Sequence, residues 1–227
     1  MSYLFEPAPI PVLPIAGSGE LFPVRRIFCV GKNYAAHAAE MGSDVKAVFF
    51  MKPADALVAP GAPVPYPPGT NNLHHEVELV AALSAGGSDI PKDSALDHVY
   101  GYAVGVDLTR RDIQAAARDS GGPWEASKSF AASAPCGPIT PASKSGPLNA
   151  GAISLSVNGE IRQDADVADM VLDLPNIIFQ LSRLFTLAPG DIIFTGTPAG
   201  VGPLLPGDTV RAEVSGLAPL EFTIEGR

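Results

Sequence analysis

Asn71-Asn72-Leu73-His74-His75-Glu76-Val77-Glu78-Leu79, running on into Val80-Ala81-Ala82-Leu83, is the stretch whose reading decides the fold. The spacing predicts a strand. Successive strand side chains alternate faces, so Glu76 and Glu78 project to one side while Val77 and Leu79 face the other. The apolar run after Glu78 marks interior sheet. Two like charges on one face of a largely buried strand repel each other and lose their hydration. A divalent cation is the simplest way to make that arrangement favourable, and hard oxygen ligands select Mg²⁺, Mn²⁺ or Ca²⁺ over zinc. The competing reading is an ordinary solvated strand face with glutamate at alternate positions.

The chain around this stretch has 227 residues, enough for one sizeable core or a core with a small appended region. With 46% hydrophobic and 17% charged residues it is neither disordered nor fibrous in composition. Gly and Pro occur 23 times each, and such frequent punctuation favours short strands and turns over a helical bundle. A formal charge of -9 argues against nucleic acid or an anionic membrane as partner. Cys29 and Cys136 sit in apolar or Pro/Gly surroundings and read as reduced structural thiols. The first residues lack a basic n-region and are soon broken by prolines, so a signal peptide is not expected. No apolar stretch approaches the roughly 20 residues that span a bilayer. The cytoplasm is the expected location.

Upstream, the Pro- and Gly-rich residues from Pro7 to Glu20 are expected to wrap the surface, and Arg26 to Val30 reads as a strand. A helix follows from Asn33, a plausible N-cap, to Met41. His37 and Glu40 are three apart on it and share a face. They form either a solvated pair or a base oriented by a carboxylate. Asn33 to Gly42 is also a candidate lid over a site. Val48 to Lys52 is an apolar strand whose terminal lysine is either a snorkelling surface group or a counter-charge for the carboxylates. Only one of His74 and His75 can face a site, because adjacent strand side chains point oppositely.

Downstream, Gly101 to Leu108 is a strong strand closed by Asp107, which must be paired, metal-bound, hydrogen-bonded or an N-cap. On the polar helix expected from Thr109 to Ser120, Arg111 and Gln114 share a face that could look into a cleft. Lys128, the only cation for some distance, is exposed or placed to meet an anion. Asn158-Gly159 is the strongest hairpin signal in the chain. A helix is expected from about Pro175 to Leu184. Asp191 to Thr195 reads as a buried strand that opens into Gly196-Thr197-Pro198-Ala199-Gly200-Val201-Gly202, a loop that binds an anion or simply turns. It lacks the Lys-Ser/Thr ending of a P-loop.

In this order the motifs resemble those of the fumarylacetoacetate hydrolase family, in its short fumarylpyruvate/acylpyruvate hydrolase branch. They are Gly31-Lys32-Asn33-Tyr34 with His37 and Glu40, Phe50-Met51-Lys52-Pro53, and Asn72 to Glu78. Gly105-Val106-Asp107-Leu108-Thr109 with Arg111-Asp112, then Lys128-Ser129-Phe130, and Gly190 to Pro198 complete the run. The resemblance implies an α+β, mostly β fold: a mixed β-roll or sandwich with a few short helices, usually a homodimer. Residues 1–21 would be an N-terminal extended segment and 22–227 the catalytic domain. It further implies Mg²⁺ or Mn²⁺ held by Glu76, Glu78 and Asp107, with His37, Glu40 and Lys128 as catalytic groups. Arg111, Gln114 and Thr197 would bind substrate. The implied activity is hydrolysis of an acylpyruvate, with fumarylpyruvate of gentisate-type aromatic catabolism as the favoured small-molecule substrate. Oxaloacetate decarboxylation and hydroxymuconate-type isomerisation or decarboxylation are the alternatives on the same scaffold. A non-catalytic cation-binding domain is a reading of another class.

Overall fold

A computed structural model describes residues 2–40 and 47–226, with the side chains of Ala38 and Glu40 outside the described set. The chain is mostly strand with a few short helices, as the α+β expectation required. The central element is the strand Val77–Leu83, buried at every position. It pairs antiparallel with Val99–Val106 on one side and with Asp191–Phe194 on the other. Asp191–Phe194 runs parallel to Arg26–Gly31, which pairs antiparallel with Val48–Lys52. Thr140–Pro141 closes the far edge of this six-stranded mixed sheet.

Both faces of the sheet are covered, which is why its central strands read as continuous apolar runs. On one face Leu79, Ala81, Val104, Val106 and Ile193 belong to the main core. That core is shared with a five-stranded sheet built from Glu160–Asp166, Ala152–Val157, Thr209–Val214, Leu220–Glu225 and Val64–Pro65. On the other face Val80, Ala82, Ala103 and Phe194 pack with Cys29, Cys136 and Ile27 in a second cluster. Glu78 shares the parity of Val80 and Ala82, so its carboxylate leaves the sheet on this second face. The hairpin appears where Asn158-Gly159 placed it. Asn158 at φ 53° and Gly159 at φ 83° make the left-handed corner between Ala152–Val157 and Glu160–Asp166.

Several expectations change in detail. Val12–Pro14 already pairs with Leu21–Pro23, and Leu13 and Ile15 enter the second cluster, so the N-terminal segment is anchored through a hairpin. The helix after the first central strand is Ala35–Glu40, and Met41 and Gly42 of the candidate lid lie outside the described residues. Asn33 does not act as its N-cap. Its side chain is buried, donating to the carbonyls of Leu172 and Thr195 and accepting from the Leu172 amide. The polar helix begins at Arg111, because Thr109–Arg110 is drawn into a short strand against Leu73–His75. The helix expected from Pro175 is Leu174–Leu184, capped by the Asp173 carboxylate on the Asn176 amide. Among the described residues no helix is long and apolar enough to cross a membrane.

Gly105 lies directly opposite Glu78 in the ladder, where a Cβ would meet Phe194 at 2.5 Å and Val80 at 2.6 Å. Gly105→Ala therefore overpacks the second cluster and is expected to cost about 1–3 kcal/mol in urea unfolding. Gly19→Ala, where a Cβ meets nothing within 4 Å, is the control and should stay within about 0.5 kcal/mol of wild type.

Candidate metal centre and active-site cavity

The expected continuous strand breaks at Glu76. Leu73–His75 pairs with Thr109–Arg110 and Gly202–Leu204 in a small sheet, whereas Val77–Leu83 joins the central one. Glu76 is the corner between them, and its carbonyl accepts the Asp107 amide at 2.8 Å. That bond ties the two chain corners bearing acidic side chains. Glu76, Glu78 and Asp107 converge, all buried, with one oxygen of each within 4.8 Å of the others. The convergence expected of residues remote along the chain is what the fold produces.

Three cations surround this cluster. Lys128 Nζ donates to Glu76 Oε2 at 2.8 Å, Asp107 Oδ2 at 2.7 Å and Thr109 Oγ1 at 2.6 Å, so all three of its N–H bonds have acceptors. Arg111 Nη2 donates to Glu76 Oε1 at 2.5 Å. Lys52 is no surface group. Its buried Nζ lies 2.8 Å from Asp107 Oδ1, and it donates to Ser133 Oγ and to the carbonyls of Leu108 and Lys128. Asp107 is thus an ion-paired carboxylate and not a helix N-cap.

Charge is distributed unevenly within the cluster. Burial pushes the Glu76 carboxyl up, but Lys128, Arg111 and His37 outweigh it and hold it well below the usual carboxylate range. Glu78 is driven well above that range by burial and by the charges of Asp107 and Glu76, against a 2.6 Å hydrogen bond from the Gly196 amide. Gly196 is obligatory there. It sits at φ 100°, and a Cβ would fall 2.7 Å from Asn33 Cβ and 2.9 Å from the Val30 carbonyl. Asp107 Oδ1 is buried and receives no aligned hydrogen bond. A hard, all-oxygen donor set with a buried oxygen unsatisfied and one carboxyl disfavoured as an anion fits a divalent cation such as Mg²⁺ or Mn²⁺.

Beside the cluster opens a cavity of about 360 Å³. His37, Glu76, Arg111, Gln114, Lys128 and Thr197 all line it. Glu40 falls one turn beyond His37 on Ala35–Glu40, with its side chain outside the described residues. His74 faces this cavity, and His75 turns away to bond Gln163 through Nδ1 at 2.9 Å. Burial and the neighbouring Arg111 lower the His74 pKa to about 4. Its Nδ1 accepts from Arg111 and Nε2 meets Asn72 Oδ1, so the neutral ring carries its proton on Nε2. Arg111 also donates to Gln114 Oε1. Thr197 Oγ1 accepts from Gln163 Nε2 at 2.8 Å, which leaves the hydroxyl proton for a partner in the cavity.

Gln163, whose carbonyl oxygen also accepts the Val77 amide, anchors the Thr197 loop from the second sheet. Nothing local in the sequence marks it. Lys32, Arg118 and Trp124 line the cavity without having been singled out. Arg118 was within reach of helical spacing, seven residues after Arg111 on the same face.

The family model "Fumarylacetoacetate (FAA) hydrolase C-terminal" matches residues 26–225. Fumarylpyruvate hydrolase from Pseudomonas aeruginosa, whose crystal structure contains Mn²⁺ and pyruvate, is 48% identical and superposes with a TM-score of 0.97, each chain covered in full. Oxaloacetate tautomerase FAHD1, mitochondrial, of Mus musculus is 41% identical over 203 residues, 88% of this chain and 92% of the relative. An uncharacterized protein of Pyrococcus horikoshii is 41% identical over 201 residues, 88% of this chain and 87% of the relative.

Glu78→Gln and Asp107→Asn each keep a residue's shape and remove a carboxylate. Calorimetric titration with Mn²⁺ should show binding to wild type and none to either variant at the same concentrations. Wild-type affinity in either variant removes that residue from the ligand set.

Proposed function

The chain belongs to the fumarylacetoacetate hydrolase family, and from that premise we propose that it hydrolyses the C3–C4 bond of an acylpyruvate, with fumarylpyruvate as preferred substrate. The observation that carries this reading is the convergence of Glu76, Glu78 and Asp107 beside a cavity that also holds His37 and Lys128. Those three carboxylates would hold Mg²⁺ or Mn²⁺, which when bound supplies Lewis acidity toward the enolate charge released on cleavage.

The remaining work falls to side chains. His37, buried on Ala35–Glu40 at the cavity wall, takes the proton of a water as its oxygen attacks the 4-keto carbon. Glu40, three residues on, would orient the imidazole. Lys128 stabilises the oxyanion by exchanging one of its three present acceptors for it. The C3–C4 pair leaves with the three-carbon fragment, which regains a proton at C3 to become pyruvate, and the acyl group departs as fumarate. Arg111 and Gln114 meet the pyruvoyl carboxylate and keto oxygens, and the Thr197 hydroxyl donates to the same end. Our proposal sets this enzyme in the cytoplasm as a homodimer.

A second reading rests on the 41% identical relative named as an oxaloacetate tautomerase. Keto–enol transfer on oxaloacetate needs a proton-transfer group such as His37 but no attacking water, and decarboxylation or hydroxymuconate-type isomerisation makes the same lesser demand. With Mg²⁺ present, loss of fumarylpyruvate enol absorbance with release of one fumarate and one pyruvate is expected. His37→Gln should keep its fold and its Mn²⁺ binding and lose roughly 10²–10⁴-fold in turnover. Undiminished hydrolysis by that variant removes the base. Turnover confined to oxaloacetate selects the second reading, and metal binding without any turnover selects a non-catalytic domain.

A further inference from the structure

Gln163 stands on Glu160–Asp166, a strand of the second sheet, and is not among the described residues that line the cavity. Yet that strand breaks a local rule to bury it. Gln163 lies opposite Leu155 and Ile161 opposite Ser156, which leaves Arg162 as the extra residue of a β-bulge. Such a bulge interrupts the alternation of faces and re-aims a side chain, often beside an active site. Regular pairing would put Ile161 and Gln163 on the same side of the sheet. Instead Ile161 is 68% exposed and Gln163 only 1%. An apolar side chain is turned out to water and an amide is turned into the core, an exchange that stability alone does not favour.

The buried amide can sit only one way round. The Val77 N–H can only donate, so the Gln163 atom 3.1 Å from it is Oε1. The Pro198 carbonyl can only accept, so the atom 2.9 Å from it is Nε2. Both assignments rest on backbone groups, whose polarity is fixed. Nε2 also meets Thr197 Oγ1 at 2.8 Å, so the hydroxyl accepts there and keeps its own proton for the cavity that Thr197 lines. Oε1 meets His75 Nδ1 at 2.9 Å, so that ring nitrogen carries a proton. His75 and Val77 flank Glu76 in the chain. On the other side, the carbonyl of the bulged Arg162 lies 2.1 Å from where a Cβ on Gly200 would stand. The Thr197 loop thus rests against the bulge, and the Gln163 amide ties it to the Glu76 corner.

We propose that Gln163 is a positioning residue that fixes Thr197 as a hydrogen-bond donor to the cavity, so that this place takes a ligand oxygen bearing no proton: keto, enolate or carboxylate. A hydroxyl free to rotate donates or accepts as its partner requires. Held by the amide, this one presents its proton to whatever occupies the cavity. That the ligand oxygen belongs to a pyruvoyl end rests on the acylpyruvate reading, whereas the polarity of Thr197 does not.

NMR of the histidine ring nitrogens in the Mg²⁺-loaded protein, in mildly alkaline buffer, reads the amide orientation through His75. The His75 signal, assigned by its loss in His75→Gln, should be that of the neutral Nδ1–H tautomer. An unprotonated Nδ1 means a reversed amide to which Thr197 donates, and overturns the proposal. Calorimetry with pyruvate on the Mn²⁺-loaded protein measures the consequence. Thr197→Val and Gln163→Met should each weaken binding about tenfold. In a Thr197→Val background Gln163→Met should add less than about twofold. Thr197→Ser, which keeps the hydroxyl, should stay within about threefold of wild type. Unchanged affinity in Gln163→Met, or losses that multiply in the double variant, overturn the proposal. Should Gln163→Met not fold, the same outcomes are read from Gln163→Glu, which keeps Oε1 for Val77 and His75 and sets an oxygen against Thr197. Should wild type bind no pyruvate, the pyruvoyl reading of the cavity fails separately, and the His75 tautomer decides this one.

Discussion

Three carboxylates crowded into one dry corner are the constraint around which this molecule is arranged. Two unit charges no more than 4.8 Å apart repel by at least about 3.5 kcal/mol at an effective dielectric near 20, before any cost of desolvation. Lys52, Lys128 and Arg111 oppose that repulsion. Each is itself fixed by further hydrogen bonds: Lys52 to the backbone carbonyls of Leu108 and Lys128, Lys128 to Thr109, and Arg111 to His74. The segments carrying the cations are thereby stitched to the ends of the strands carrying the acids. Removing any one group leaves a buried charge uncompensated, which is more expensive than never having placed the pair.

The sheet supplies the geometry that makes such stitching possible. Alternation sends Val77, Leu79 and Ala81 into the core between the sheets and leaves Glu78 on the opposite face. Breaking the chain at Glu76 turns it out of the central sheet into the small one, so the second carboxylate approaches from a different direction. The Asp107 amide on the Glu76 carbonyl locks the two corners in register. A continuous strand would have set both glutamates on one flat face, with Asp107 beyond the end of its own strand and nothing to draw the three together.

Alternation and apolar runs made much of this legible from sequence. Glu78 within a buried strand, Asp107 closing another, and the Asn158-Gly159 turn each follow from one local rule, and each lies where that rule put it. What escaped depends on residues far apart in the chain. Asn33 has the composition of an N-cap, yet Leu172 and Thr195 claim its amide group from about 140 and 160 positions away. Gln163 lies in an exposed-looking hairpin and ends up satisfying His75, Val77 and Thr197 at once. Lys52 left two readings open because a strand-terminal lysine is compatible with both. Only the placement of Asp107 opposite it decides.

The cavity is lined by charges of both signs. Beside it stand the acids whose oxygens suit a hard cation, and Lys128 and Arg111 are already bonded to them. Lys32 and Arg118 line the cavity from a turn and a helix outside the central sheet. A protein of net charge -9 that took up the proposed anionic substrate would have to reverse its own field locally, which works best where low-dielectric walls focus the potential. Val30, Val201 and Trp124 provide such walls. The apolar lining would thus keep the positive potential of the cavity from being screened before such a substrate arrived.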